Sequence, residues 1–317
     1  MGGGTLLVSL PKEWARRNGV EKGDTLDVAE ISGRGLMVRP VEDIEDKPKE
    51  SVVAYPGEDF GQVANGVTGA YLLGYDIIRV EGDRTISRED RGRLKETIGR
   101  LVGLEIMEED SKRMTLQFLI EPSVIVPEKI VRRMSGILDG MLRDMAEALP
   151  RWDQKLLSLV SERDDEVDRL YFLLVRATRA AVTRPDVTER YGLSPVDLLD
   201  YRVLASFLES IGDAVSEFSR KVQATRLPRK LLLEYASCLL ELREMNELAT
   251  QAFISRRAGR PRSINSKVSA MAQDIADRLS APTSAQAGAA ETLGALERVS
   301  RLLVDVSDLA VIARPAS

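Results

Sequence analysis

The stretch that decides the fold runs from Leu159 to Ala177, "LVSERDDEVDRLYFLLVRA", with Glu162, Asp164, Asp165, Glu166 and Asp168 packed into seven residues. Like charges one helical turn apart cost about 0.2–0.5 kcal/mol per pair, yet the apolar spacing is helical. Leu156, Val160, Val167, Tyr171 and Leu174 form one stripe at 100° per residue. That count places Asp164 within the stripe and Asp168 at its margin, while Asp165 and Glu166 point away. Two carboxylates thus emerge beside a packing surface, and something must offset their repulsion.

The surrounding sequence extends this helix into a bundle. Six long helical patterns are expected, over about 127–149, 153–182, 194–224, 228–256, 263–281 and 287–313. They are broken by "TRPDVTERYGLSP", "TRLPRK", "RRAGRPRS" and "APTSAQAG". Short connections imply antiparallel neighbours. "FLESIGDAV" in the third helix and "LLVDVSDLA" in the sixth place a small residue before an aspartate, and "VDRL" in the second returns as "ADRL" in the fifth. A duplicated three-helix unit follows.

Ahead of the bundle the texture differs. Residues 1–40 read as a strand "TLLVSL", a short helix "PKEWARRN" with Pro11 in its first turn, and strands "TLDVAEI" and "LMVRP" joined by "SGRG". Residues 41–60 read as an exposed charged linker. "GQVANGVTGAYLLGYDIIRVEG" then gives a helix and a strand, Ser87 caps a second helix, and "LEIMEED" with "RMTLQFLIEP" gives a strand pair. The expected domains are 1–46, 47–122, 123–224 and 225–317. The fold class is mainly α: two three-helix bundles preceded by a small α/β segment and an N-terminal β module.

Composition narrows the chemistry. The 317 residues carry 44% hydrophobic and 30% charged side chains, a net charge of -5, one cysteine and no histidine. No apolar run reaches the ~20 residues that span a bilayer, and the N-terminal residues lack the basic-then-apolar order of a signal peptide, so a cytoplasmic location is expected. Cys238, among apolar neighbours, reads as a core residue. Without imidazole, Ser-His and Cys-His nucleophiles are excluded, and any metal must be held by oxygen. A di-iron carboxylate enzyme would need an E-x-x-H element, which this chain lacks.

On the third helix Val203, Phe207, Ile211, Ala214 and Phe218 form the expected stripe, with Glu209 and Asp213 one turn apart on the opposite face. Carboxylate pairs from two neighbouring helices can share a hard cation, which turns repulsion into attraction. The alternative is a solvated acidic face with Arg163 and Arg169 as partial counterions. Gly212 favours close approach by something, since a glycine in a helix costs about 1 kcal/mol relative to alanine. Arg256, Arg257, Arg260 and Arg262 make a basic turn, read as solvated or as a dock for an acidic partner.

These motifs resemble those of the PhoU family of phosphate-uptake regulators. Asp164, Val167 and Asp168 match its D-x-x-V-D motif, and Glu209, Gly212 and Asp213 match its E-x-x-G-D motif. The resemblance covers about residues 127–313. It implies Asp164, Asp168, Glu209 and Asp213 as ligands of a multinuclear hard-metal cluster, with iron favoured over zinc, manganese or magnesium. It also implies a non-enzymatic cytoplasmic regulator under which phosphate uptake is negatively controlled. Its protein partner would be the phosphate ABC transporter ATPase or a sensor kinase. The second repeat offers Gln273 and Val304 where the first has acids, keeps Asp277 and Asp308, and adds Asp274 and Asp305, so one strong site per chain is expected.

"GGGTLLVSLPKEWARRNGVEKGDTLDVAEISGRGLMVRP" in turn resembles the AbrB/SpoVT family of swapped-hairpin DNA-binding dimers, with "LPKEWARRNGVEKGD" as the matching core. That resemblance implies a homodimer and places Arg16 at a DNA-contact position, with Lys12 and Arg17 as neighbouring phosphate contacts. The family normally carries a basic strand ahead of Gly2. Swapped dimerisation is expected to survive its absence even where DNA recognition does not. The whole order resembles archaeal phosphate-uptake regulators, with the middle segment open between ligand sensing and a spacer. The rival reading is an AbrB-type transcriptional regulator whose helical region is a sensor; a purely structural bundle is the third.

Overall fold

The computed structural model describes residues 6–31, 35–40, 48–55, 59–121, 124–183, 187–188, 191–225, 227–256, 261–279 and 289–311. The chain divides into two units, Met1–Pro48 and Lys49–Ser317.

In the first unit, α1 (Lys12–Arg17) follows Pro11, which caps the helix from outside with φ -61° and ψ 130° rather than sitting in its first turn. Gly19 takes φ +65°, where glycine carries no steric cost, and the Val20 amide donates to the Ala15 carbonyl at 2.9 Å to close the helix end. Strands β1 (Leu26–Ile31) and β2 (Gly35–Pro40) pair antiparallel, Val28 opposite Val38; the residues of the intervening turn, 32–34, lie outside the described residues. The strand expected over "TLLVSL" is not formed at residues 6–10, and Thr5 lies outside the described residues. A strand needs a partner edge, and β1 and β2 pair only with each other, so Leu6 and Leu7 stand 94% and 91% exposed. None of the side chains described between residues 6 and 40 is buried.

The second unit opens with β3 (Glu50–Ala54), inside what the sequence suggested was linker; positions 41–47 lie outside the described residues. Helix α2 (Phe60–Leu72), capped by Asp59 accepting from the Gly61 amide at 2.9 Å, crosses over to β4 (Ile77–Glu81), parallel to β3. Helix α3 (Arg88–Gly99) begins at the expected cap, Ser87, whose hydroxyl accepts from the Asp90 amide. Strands β5 (Leu104–Glu109) and β6 (Arg113–Phe118) form the expected antiparallel pair, and the sheet order is β3-β4-β6-β5.

Six long helices follow: α4 (Pro127–Arg151), α5 (Gln154–Thr183), α6 (Pro195–Ala224), α7 (Arg229–Ile254), α8 (Pro261–Leu279) and α9 (Ala289–Val311). Local chemistry fixes their ends. Pro127 and Pro195 take first-turn positions, Trp152 closes α4 at φ +54°, and Ser194 forms a capping box with Asp197. Asp153 accepts from the Lys155 and Leu156 amides, both at 3.1 Å. Helices α4, α5 and α6 pack on one another, as α7 does on α8 and α9 and α8 on α9, and the two sets meet along the α4–α7 and α6–α9 seams. Cys238 is buried in this core.

One residue ties the α/β segment to the bundle. Arg176 of α5, 3% exposed, donates to the Tyr71 and Tyr75 carbonyls at 2.8 Å, pairs with Asp76 at 3.2 Å and stacks 3.7 Å over Phe118. The guanidinium meets the carbonyl end of α2, where the helix dipole favours a cation. Arg256, read from sequence as part of a basic turn, is also buried. It bonds Asp197 and Asp200 at 3.2 Å and stacks on Phe253, so it is a structural clamp. Residues 257–260 and the Arg262 side chain lie outside the described residues.

Candidate metal centre

Helices α5 and α6 pack closely because their contact is lined by small side chains. Ser216 and Ser161 bring their hydroxyls to 3.3 Å, and Ser219 donates to the Leu157 carbonyl at 2.9 Å. One turn along, Gly212 is buried against α5. A Cβ built there would lie 2.7 Å from Asp164 Oδ1 and 3.6 Å from both Leu138 and Val167. The missing side chain of Gly212 is therefore the space that the Asp164 carboxylate fills.

The buried face of α6 is wider than the expected stripe. Ile211, Ala214 and Phe218 are buried as expected, Leu204, Leu208 and Val215 join them, and Val203, 40% exposed, and Phe207, half-buried, lie at the margin. The wider face takes in Gly212 at the α5 contact and leaves Glu209 half-buried at its edge instead of on the far face; Asp213 is exposed. On α5, Asp164 and Asp168 are half-buried and Asp165 and Glu166 exposed, in agreement with the helical count. Asp164, Asp168 and Asp213 each bring a carboxylate oxygen within 4.8 Å of the others. Glu209 stands beside this trio, close enough to feel Asp213 and Asp168.

The electrostatics are those of a site short of positive charge. Burial, then Asp168 and Asp213, push Asp164 up to about 7; the Ser216 hydroxyl acts in the opposite sense, yet Oδ1 is buried with no hydrogen-bond partner. Burial and Asp213 raise Asp168, and burial followed by Asp213 and Asp168 raises Glu209. Arg163, the expected counterion, turns away. It passes over Gly140 to pair with buried Asp144 of α4 at 2.7 Å. Among the described residues no salt bridge reaches Asp164, Asp168, Glu209 or Asp213. Arg100 acts on Asp168 and Arg298 on Glu209 only from a distance, in the sense opposite to burial and the neighbouring acids; an all-oxygen, anionic cluster with an orphaned buried oxygen has the donor chemistry of a hard-metal site.

The second repeat differs at the corresponding place, where Gln273 and Val304 line a cavity in place of acids. Ser307, buried, stands where the first repeat has Gly212, and its hydroxyl accepts from Asn265, which also donates to Asp308 at 2.6 Å. Gln273 folds onto Asp277 at 2.8 Å, and Asp274 pairs with Arg278. Burial and then Asp308 raise Asp305. Among the described residues no further trio of converging carboxylates occurs.

Lys12, Arg16 and Arg17 are all exposed on α1, with Lys12 and Arg16 one turn apart on one face.

Comparison with known proteins places these features. Residues 131–222 match the PhoU domain. The match spans most of α4, all of α5 and nearly all of α6, and therefore the four carboxylates Asp164, Asp168, Glu209 and Asp213. Residues 1–46 match the antidote-toxin recognition family of MazE, a bacterial antitoxin. A crystal structure of PhoU from Pseudomonas aeruginosa aligns at a TM-score of 0.40 with 14% identity, covering 58% of this chain and 93% of that one. No curated protein matches the chain. Among the described residues, no helix is long and apolar enough to cross a membrane.

Proposed function

We propose that the chain is a non-enzymatic, metal-binding regulator of phosphate uptake, which it controls negatively through the phosphate ABC transporter ATPase or a sensor kinase. The observation that carries this reading is the convergence of Asp164, Asp168 and Asp213 from two helices of a PhoU-like domain, around a buried oxygen that nothing else satisfies. Asp164, Asp168 and Asp213 would hold the first cation, and Glu209 would bridge to a second. Iron is the favoured metal on the resemblance to the PhoU family, with zinc, manganese and magnesium as alternatives. The bound cations would neutralise the acidic face and present it to an anionic partner or to phosphate. Elemental analysis of protein purified without chelator tests this. Wild type should retain metal and the Asp164, Asp168, Glu209, Asp213 four-fold alanine variant should lose it; equal retention would overturn the site.

The N-terminal unit supports a homodimer. A unit of under 50 residues with no buried side chain among those described needs further stabilisation, and Leu6, Leu7, Val8, Val28 and Leu36 present an apolar surface for a second copy to cover. The second reading, a DNA-binding regulator with a sensory bundle, is favoured by exposed Lys12, Arg16 and Arg17 and by the match of this unit to an antitoxin family. Salt-sensitive, sequence-selective binding to a promoter fragment would establish it.

A further inference from the structure

Strand β3 is one edge of the four-stranded sheet, and half of its backbone faces away from its neighbour. The ladder to β4 uses the odd-numbered positions: the Lys49 carbonyl accepts from the Ile77 amide at 3.1 Å, and the Tyr55 amide donates to the Glu81 carbonyl at 2.7 Å. Alternation along the strand therefore turns the amides and carbonyls of Glu50, Val52 and Ala54 outward. All three residues are exposed, and among the described residues no strand pairs with that side.

The two edges of this sheet differ in how they are guarded. The far edge, β5, carries Glu105, Glu108 and Glu109, and a bulge interrupts it between Ile106 and Glu108. Charges and bulges on an edge keep other chains from pairing with it. Along β3 the run Ser51-Val52-Val53-Ala54 is uncharged, and the one acid, Glu50, is neutralised by Arg79 of β4 at 2.6 Å. Val52, at the centre of the strand, is 61% exposed, while Val53 packs on the other face against Gly66 of α2.

A second copy of β3 is the occupant that this edge fits. In an antiparallel pair about a two-fold axis, Val52 opposes the partner's Val52 and Glu50 opposes the partner's Ala54, so each outward amide meets an outward carbonyl. Such a contact closes on itself, and it sets valine beside valine on the exposed face. Only residues 41–49 separate β2 from β3, so a head shared by two copies would hold two β3 edges at high local concentration.

We propose that β3 docks on the β3 of a second copy, antiparallel about Val52, to make one continuous sheet across the dimer. The inference rests on the homodimer reading and adds to it a contact outside the N-terminal unit. Disulfide trapping in the full-length protein tests it, since the native Cys238 is buried. Opposed residues that exchange both hydrogen bonds have Cα atoms ~5.5 Å apart, within the span of a disulfide. Under mild oxidation Val52→Cys should become mostly disulfide-linked dimer, whereas Met107→Cys, 51% exposed on β5, should stay mostly unlinked. Val52→Pro removes an outward amide and spares the ladder to β4, so it should keep the wild-type circular dichroism yet weaken the dimer at least tenfold in sedimentation equilibrium. A wild-type dimer in which Val52→Cys links no better than Met107→Cys would overturn the edge pairing and leave the head dimer standing. So would a folded Val52→Pro variant with unchanged dimer affinity. A wild-type chain that stays monomeric at every concentration would overturn both.

Discussion

The Asp164 carboxylate lies where a side chain on Gly212 would begin, 2.7 Å from the Cβ that Gly212 lacks. Two helices approach because one residue is absent, and the approach delivers an acid to the contact. A methyl group there must push out either the carboxylate or α6. Gly212→Ala is therefore expected to lower metal retention and, despite a gain of about 1 kcal/mol in helix propensity, to destabilise the protein by about 1–2 kcal/mol through overpacking. Gly136→Ala, in open space, should stabilise by about 0.5–1 kcal/mol. Urea titrations of both variants check the opposite signs.

The metal-free protein should lose stability as pH rises. Asp164 is held at about 7 in the folded chain against an ordinary 3.8, so between these values the folded state keeps a proton that the unfolded state releases. Its contribution is fully present below about pH 4 and gone above about pH 7. Asp164→Asn should flatten this window in chelator-treated samples, as read from denaturation midpoints across pH. A midpoint that rises through the window by the same amount in both proteins would contradict it.

In the second repeat Gln273 and Val304 replace two acids and Asn265 already donates to Asp308, so its remaining acids are expected to hold no metal. Replacing Asp277 and Asp308 together with alanine is expected to leave metal stoichiometry unchanged by elemental analysis.

Arg176 satisfies two backbone carbonyls and Asp76 while nearly inaccessible to water. Arg176→Met should cost about 2–4 kcal/mol, since the carbonyls lose their partner. Limited proteolysis should then cut between β6 and α4 faster than in the wild type.

If α1 reads DNA phosphates, replacing Lys12, Arg16 and Arg17 with alanine should weaken binding across all sequences. The slope of log affinity against log salt should then fall by about one per lost contact. An unchanged slope in electrophoretic or fluorescence titrations would remove α1 from the interface.

The bundle was legible because its punctuation is local: Pro127, Asp153, Ser194 with Pro195, and Pro228 set helix starts to within a few residues. Strand β3 was hidden because it is a five-residue edge whose outward positions, Glu50 and Val52, continue the texture of the charged stretch before it. The strand at residues 6–10 looked convincing by composition, but pairing is a property of a second edge that composition does not contain. On α6 the expected stripe holds at Ile211, Ala214 and Phe218, but Leu204, Leu208 and Val215 beside it are buried too while Val203 is not. A helix gripped on both sides, by α5 and by α9, buries more than one stripe. Arg163 was assigned to the nearest acids in sequence, whereas Gly140 opens a path to Asp144 on another helix. The candidate acids themselves were readable from one-turn spacing; their convergence depended on Gly212, for which the only sequence signal was a glycine inside an otherwise good helix.

A head with no buried side chain among those described has a consequence for dosage. If residues 6–40 acquire an interior only from a second copy, the amount of ordered head at low abundance grows with the square of the polypeptide concentration, whereas the helical body, with its own interior, assembles one molecule at a time. Scarce protein would thus carry a complete bundle and an unfinished head, and only its accumulation would bring the two ends into play together.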